Sequence, residues 1–164
     1  MNARQGAFTL ALAASAFSVW ATDELYGTWK LIGFTVQDVA TGATTRPWGD
    51  SPTGFLSYSR DGRMYAILAR EQRPKPQDMS KLSNEQRAEL FNTMAAYAGT
   101  FNFDGKTVTH QVDISWNENW TGTAQKRLVK LEGPKLYITT PPAPSGVDGK
   151  PVVIALEWEK VEPR

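Results

Sequence analysis

From Leu25 onward, apolar and polar residues alternate in short runs that end at glycine, proline or Asp-Gly turns. A period of two places apolar side chains on one face of a β-strand, and such turns are typical of antiparallel hairpins. The pattern predicts eight strands, over residues 26–36, 54–60, 63–70, 99–104, 107–116, 120–131, 135–140 and 151–160. In up-and-down order they favour an all-β fold, a closed antiparallel β-barrel, because closure removes the exposed edges of a sheet.

Residues 82–99 depart from this alternation. Ser83 followed by Gln86 forms a capping box, the usual start of a helix, and the glycine that ends the segment suits a left-handed helix terminus. Apolar residues recur at helical spacing, at Ala88, Phe91, Met94, Ala95 and Ala98. We therefore expect one inserted amphipathic α-helix between the third and fourth strands, with Phe91 and Tyr97 packed into the barrel.

Two Asp-Gly turns allow strand registers to be predicted. A two-residue loop at Asp104-Gly105 would pair Phe103 with Lys106 and Phe101 with Val108.

The other turn, at Asp61-Gly62, permits two registers. A three-residue loop pairs Tyr58 with Met64, and a two-residue loop pairs Tyr58 with Tyr65. Both place apolar residues on one face, so the pattern alone does not decide between them.

The predicted strand 107–116 carries the only histidine of the chain. Alternation places Val108, His110, Val112, Ile114 and Trp116 on its apolar face, which points into the barrel. The other face carries Thr107, Thr109, Gln111, Asp113 and Ser115.

On the next strand the odd positions, Gln125, Arg127, Val129 and Leu131, are predicted to face inward. The register that buries both apolar patterns pairs His110 with Arg127. An inward guanidinium without a partner is costly, so Arg127 needs an acceptor.

This inward pair admits three interpretations. In the first, His110 and Arg127 orient an acidic or carbonyl group of a small hydrophobic or amphipathic ligand in the barrel lumen. In the second, His110 is an acid or base with a pKa near neutrality, lowered by Arg127, and Arg127 stabilises an anionic transition state in a cofactor-free isomerase or cyclase. In the third, the barrel is packed with side chains and has a structural role in the cell envelope. The residues predicted to contact a ligand are Tyr58, Met64, Tyr97, His110, Trp116, Trp120, Gln125 and Arg127.

Other chemistries lack their residues. One histidine and no cysteine leave only carboxylate-rich metal sites, and Asp113 is predicted to lie opposite His110, so no metal is expected. Ser57 and Ser115 fall on the wrong face for a Ser-His pair. There is no glycine-rich phosphate loop before a helix, and we expect no cofactor.

Composition indicates a single domain in an exported protein. Residues 1–21 have one positive charge followed by a small and apolar run that ends Val19-Trp20-Ala21, the pattern of a signal peptide cleaved after Ala21. Residues 6–21 fall short of the roughly 20 that a membrane helix needs, so we expect no stable membrane span after cleavage, although an uncleaved anchor is the alternative. Residues 22–164 then form one barrel domain, periplasmic or secreted by a bacterium.

Charge limits the partners of this domain. The chain has 18 basic and 17 acidic residues, so its surface does not favour nucleic acid. The expected partner is a small hydrophobic or amphipathic molecule, and the pattern leaves the oligomeric state open.

Several motifs together resemble a known family. They are LYGTWKLIGF, GFLSYSRDGRM, AAYAGTF, VTHQVDIS, NWTG, the later Arg127 and LEWEK, spread over residues 25–160. Gly27-Thr28-Trp29 is similar to the Gly-x-Trp opening of lipocalins, and the set resembles the bacterial and fungal lipocalin-like domain proteins. The resemblance implies a calycin-type antiparallel barrel and a structural Trp29 covered by a basic side chain, Lys160 or an arginine.

The same resemblance selects positions to test. They are Tyr58, Met64, Tyr97, His110, Trp120 and Arg127. Barrels of this kind have been recruited as cyclases and isomerases, so the resemblance allows both ligand binding and catalysis. The chain differs from true lipocalins in lacking their cysteines and their second signature around Thr-Asp-Tyr, and in carrying a helix between the third and fourth strands.

Overall fold

The computed structural model describes residues 23–162, which form an antiparallel barrel of eight strands. The predicted signal peptide, residues 1–21, lies outside the described residues. The strands are β1 (Gly27–Asp38), β2 (Thr44–Thr45), β3 (Thr53–Tyr58), β4 (Arg63–Ala69), β5 (Met94–Phe103), β6 (Thr107–Ser115), β7 (Ala124–Glu132), β8 (Lys135–Thr139), β9 (Ala143–Pro144) and β10 (Pro151–Lys160). Consecutive long strands pair, and β1 pairs with both β3 and β10, which closes the barrel; β2 and β9 are short additions at its rim. The predicted fold class is confirmed.

The inserted helix is shorter than predicted. Helix α1 spans Asn84–Asn92, with the expected capping box between Ser83 and Gln86. The prediction that it continues to residue 99 is wrong, because Met94–Phe103 forms β5 between β4 and β6. Alanine-rich sequence fits either state, and pairing with two neighbouring strands decides in favour of the sheet. Phe91 is 52% exposed and does not pack into the barrel, whereas Tyr97 reaches the interior from β5.

The two ends of the barrel differ in their connections. At one end, three tight hairpins join the strands, at residues 59–62, 104–106 and 133–134. At the other end the connections are long, over residues 39–52, 70–93, 116–123 and 140–150. We call the first the closed end and the second the mouth.

The closed end is filled by side chains. Fully buried residues of the hydrophobic core pack there and in the adjacent interior, among them Leu25, Trp29, Leu31, Leu56, Met64, Val108, Leu136 and Trp158. Lys160 Nζ lies 4.2 Å from the centroid of the Trp29 ring. The contact implied by the lipocalin resemblance is therefore present, with Lys160 as the basic partner.

The hairpin between β3 and β4 uses a three-residue loop. Tyr58 pairs with Met64, and Gly62 adopts a positive φ of 81°. This settles the register that the sequence left open.

The hairpin between β5 and β6 differs from the prediction. Phe103 pairs with Val108, and Phe101 pairs with His110 instead of Val108. The Asp104 carboxylate accepts hydrogen bonds from the backbone nitrogens of Lys106 and Thr107, at 2.9 and 2.6 Å, and this places the tight loop one residue later.

The register between β6 and β7 also differs from the prediction. His110 pairs with Gln125, and Arg127 pairs with Val108. The loop over residues 116–123 includes a 3-10 turn, Glu118–Trp120, and connects the two strands in this register. The slip moves each partner by two residues, so His110 and Arg127 still face the same side.

A β-bulge in β6 reverses the alternation near the mouth. Ala98 pairs with Ile114 and Gly99 with Val112, which leaves Asp113 unmatched. A Cβ on Gly99 would lie 1.8 Å from the Gln111 carbonyl oxygen, so the bulge requires glycine there. The prediction that Ile114 faces inward is wrong, since Ile114 is 66% exposed.

Beyond the bulge, Ser115 pairs with Tyr97 and shares its inward face, contrary to prediction. Its hydroxyl accepts a hydrogen bond from the Asn117 backbone nitrogen at 3.1 Å.

Among residues 23–162, no helix has the length and hydrophobicity that a membrane crossing needs.

Candidate functional site

His110 lies between two tyrosine hydroxyls inside the barrel. Its Nε2 is 2.8 Å from the Tyr58 hydroxyl oxygen, and its Nδ1 is 2.9 Å from the Tyr97 hydroxyl oxygen. Three different strands supply these residues, β3, β5 and β6, and His110 is only 1% exposed. Both ring nitrogens are used by the tyrosines. His110 can therefore affect a bound molecule only through Tyr58 or Tyr97.

Burial keeps this chain of hydrogen bonds uncharged. Burial, and secondarily the charge of Arg127, lowers the pKa of His110 to about 3. The expectation of a pKa near neutrality is therefore corrected, because desolvation disfavours the imidazolium more strongly than the sequence indicated. Burial also raises the pKa of Tyr97 to about 12, and it raises the pKa of Tyr58 well above the usual range. At neutral pH all three groups are neutral.

Arg127 lies beside the hydrogen-bonded residues Tyr58, His110 and Tyr97, on the same inward face. Its guanidinium donates to the Lys126 carbonyl oxygen at 2.8 Å and to Gln125 Oε1 at 3.3 Å. Within residues 23–162 no carboxylate lies within 4.0 Å of it. Burial lowers the pKa of Arg127, as expected of a cation that has lost part of its hydration.

Aromatic side chains connect Arg127 to the tyrosines. Arg127 Cζ lies 5.8 Å from the centroid of the Trp120 ring. The same ring packs edge-to-face against Tyr97, with centroids 5.6 Å apart, and against Trp116, with centroids 5.0 Å apart. These contacts bring β5, β7 and the loop over residues 116–123 together at one place in the interior.

The predicted ligand-contacting residues fall into two groups. Seven of them form one connected cluster, which we call the mouth cluster: Tyr58, Tyr97, His110, Trp116, Trp120, Gln125 and Arg127. Met64, the eighth, is 1% exposed and packs in the hydrophobic core beside Tyr58, its partner across the hairpin.

Two residues of the site were not predicted. Phe101 pairs with His110 and packs against Tyr58 with ring centroids 4.6 Å apart. Thr123 accepts a hydrogen bond from Gln125 Nε2 at 2.8 Å and donates to the Trp120 carbonyl oxygen at 2.7 Å. The period-two spacing of Phe101 and Phe103 could have indicated that Phe101 faces inward. No sequence pattern indicated Thr123.

A closed eight-stranded antiparallel barrel, with one packed end and a polar and aromatic cluster toward the other, defines a calycin-type barrel. A family model for the lipocalin-like domain matches residues 26–161, and the chain belongs to this family. Membership in this family supports the interpretation of the chain as a ligand-binding barrel protein. No curated protein matches the sequence.

Proposed function

We propose that this protein binds a small amphipathic molecule at the mouth of its barrel, with an acidic or carbonyl head group on Arg127. The observation that carries the proposal is the guanidinium itself. It is half-buried, and its two hydrogen bonds within residues 23–162 go to uncharged oxygens. A guanidinium has five N–H donors, so several remain for a ligand.

An anionic oxygen would offset the cost of this position. Removing a cation from water is unfavourable unless an opposite charge or further hydrogen bonds compensate. Arginine recognises carboxylates well because its planar fork presents two parallel N–H groups. A carboxylate or another oxyanion on the ligand would therefore complete the surroundings of Arg127.

The neighbouring aromatic rings suit an apolar body. Tyr97, Trp116 and Trp120 are all half-buried, and Trp120 meets the other two edge-to-face. Ligand sites commonly combine such aromatic walls with a few polar groups that fix orientation.

Two dyes that differ by one sulfonate test the proposal. Anilinonaphthalene sulfonate and phenylnaphthylamine share their ring system, and only the first is anionic. We expect Arg127→Met to weaken binding of the sulfonate about tenfold or more, since a charged hydrogen bond contributes about 1.5–3 kcal/mol. Binding of the neutral dye should change little. Fluorescence titration measures both.

The matched control is Lys126→Met, which removes the same charge from the exposed side of the same strand. It should leave both affinities within about twofold, because exposed charges contribute little. Equal losses for Lys126→Met and Arg127→Met, or failure of both dyes to bind the wild-type protein, would contradict the proposal.

Catalysis is the second candidate, and the hydrogen-bonded chain Tyr58–His110–Tyr97 is the observation that favours it. These three hydrogen-bonded side chains could pass a proton between Tyr58 and Tyr97 without a cofactor. Burial opposes this role, because passing a proton outward from Tyr58 would leave a buried phenolate. If catalysis occurs, His110→Gln should abolish turnover while dye affinity stays within about threefold.

Export belongs to the same proposal and rests on the signal-like residues 1–21. Expression of the full chain in a bacterium should yield a periplasmic protein whose intact mass corresponds to cleavage after Ala21. A full-length protein in the cytoplasmic fraction would contradict export.

A further inference from the structure

The hydrogen bonds around His110 leave one hydroxyl proton without an acceptor. A neutral imidazole has one N–H and one lone pair for bonding, and each tyrosine hydroxyl has one proton. The two contacts, from Nε2 to Tyr58 and from Nδ1 to Tyr97, use two of these three protons. Within residues 23–162 neither hydroxyl has a second hydrogen-bond partner.

Burial indicates which hydroxyl keeps the extra proton. Tyr58 is 1% exposed and packs against Phe101, so a free O–H there would be buried among apolar atoms at a cost. Burial raises the pKa of the Tyr97 hydroxyl too, but the Tyr97 side chain as a whole is half-buried and packs beside Trp120 at the mouth, so a ligand has access to it before Tyr58. The favoured arrangement is therefore that Tyr58 donates to Nε2, Nδ1–H donates to Tyr97, and the Tyr97 O–H is free.

This free hydroxyl and Arg127 belong to one cluster. The Trp120 ring contacts both the Tyr97 ring and the guanidinium, and the charge of Arg127 acts to lower the pKa of Tyr97, so both groups lie near the same indole ring. Both groups have hydrogen-bond donors available for a ligand, and the guanidinium also brings a positive charge to this place. An ammonium head group is disfavoured here, because the nearby guanidinium has the same charge.

We propose that the Tyr97 hydroxyl and the Arg127 guanidinium together bind a carbonyl oxygen of the ligand, in a carboxylate or in a neutral ketone. His110 is the positioning residue, because its Nδ1–H turns the Tyr97 proton toward the ligand. The position of the ligand rests on the proposed function, and the hydrogen-bond arrangement around His110 does not.

The arrangement of protons can be measured without a ligand. The chain has a single histidine, so long-range proton–nitrogen NMR spectra contain one imidazole pattern. We expect a neutral ring protonated at Nδ1 at neutral pH. Protonation at Nε2 would overturn the proposal, because Tyr97 would then donate to Nδ1 and have no proton for the ligand.

Displacement of phenylnaphthylamine by dodecanoate, methyl decyl ketone and dodecylamine tests the head group. We expect the amine to displace the dye least. Tyr97→Phe should weaken both carbonyl compounds about tenfold, the factor that 1.4 kcal/mol represents. Arg127→Met should weaken dodecanoate strongly and the ketone less. The affinity of each variant for the dye is titrated first, so that the displacement constants are compared after correction for it.

The matched control is Tyr65→Phe, which removes a phenol hydroxyl from the outside of the barrel, where Tyr65 is 46% exposed. It should change none of the affinities. If Arg127→Met weakens dodecanoate and Tyr97→Phe changes nothing, the carbonyl proposal fails and the proposed function stands. If none of the three compounds displaces the dye from the wild-type protein, both fail.

Discussion

The barrel contains two pairs of a basic side chain and a tryptophan, and they differ in how completely the protein satisfies them. At the closed end, Lys160 lies over Trp29 and donates to the carbonyl oxygens of Glu24 and Tyr26. The indole nitrogen of Trp29 donates to the Leu25 carbonyl oxygen at 2.9 Å. Trp29 is 1% exposed, and no donor of this pair is directed at a ligand.

In the mouth cluster, Arg127 lies over Trp120 at a longer distance, and both side chains are half-buried. Some N–H groups of Arg127 have no acceptor among the described residues. In the proposed arrangement the O–H of the neighbouring Tyr97 has none either. A cation over an indole is therefore structural where the chain supplies every acceptor. Where the chain leaves acceptors missing, the same pair is suited to bind a ligand.

The largest expected difference between the two pairs concerns the tryptophans. Trp29→Ala should lower the free energy of unfolding by about 3–5 kcal/mol, since it empties a fully packed position. Trp120→Ala should cost about 1–2 kcal/mol, because it removes edge-to-face contacts at a half-exposed place. Urea unfolding followed by circular dichroism measures both.

Trp29→Phe serves as a milder control that keeps a ring and removes the hydrogen bond to Leu25. It should fall between the wild type and Trp29→Ala. Equal costs for Trp29→Ala and Trp120→Ala would show that the two tryptophans contribute equally to stability.

The second prediction concerns the effect of acid on the mouth cluster. His110 belongs to this cluster and is the only histidine of the chain, so its titration can be followed alone. Its pKa is about 3 in the folded state and about 6.5 when exposed, so the unfolded state binds more protons between these values. Stability is therefore fully present above about pH 6.5 and falls with acidification, by about 2 kcal/mol between about pH 7.5 and about pH 5. Urea midpoints at several pH values measure this.

The control for the acid effect is His110→Gln, which cannot titrate. Its stability should vary little over this range. Aspartates with lowered pKa, such as Asp38 and Asp104, lose their contribution only at lower pH, near the usual aspartate range. An unchanged slope in His110→Gln would show that His110 is not the responsible group.

The sequence predicted the barrel and most of its interior for a simple physical reason. The period of two sets the face on which a side chain lies, and both wrong registers preserved that face. His110 and Arg127 were therefore placed together although His110 pairs with Gln125. The capping box also predicted the start of α1 correctly.

Long-range effects explain what the sequence could not give. The segment 94–98 is compatible with helix or strand, and only pairing with β4 and β6 decides between them. The bulge at Asp113 depends on the backbone of a neighbouring strand, so Ile114 was placed on the wrong face. The low pKa of His110 results from burial by residues of several strands, which no local pattern encodes.

The two basic residues should also differ in their contribution to stability. Lys160→Met should lower the free energy of unfolding by about 1–2 kcal/mol, because it removes charged hydrogen bonds to two backbone carbonyls. Arg127→Met should change it by no more than about 0.5 kcal/mol, or stabilise the fold, because a partly desolvated charge is replaced by an apolar chain. A large loss of stability for Arg127→Met would mean that the chain itself satisfies this cation.

The last prediction tests where the packed interior ends along β6. Val112 lies on one side of the bulge and is 3% exposed, whereas Ile114 lies on the other side and is 66% exposed. Val112→Thr should cost about 1–3 kcal/mol, because it places a hydroxyl at an almost fully buried position. Ile114→Thr should stay within about 0.5 kcal/mol of the wild type, since it changes an exposed position. Comparable losses for the two variants would mean that the alternation continues through the bulge, and Ser115 would then not share the inward face with Tyr97.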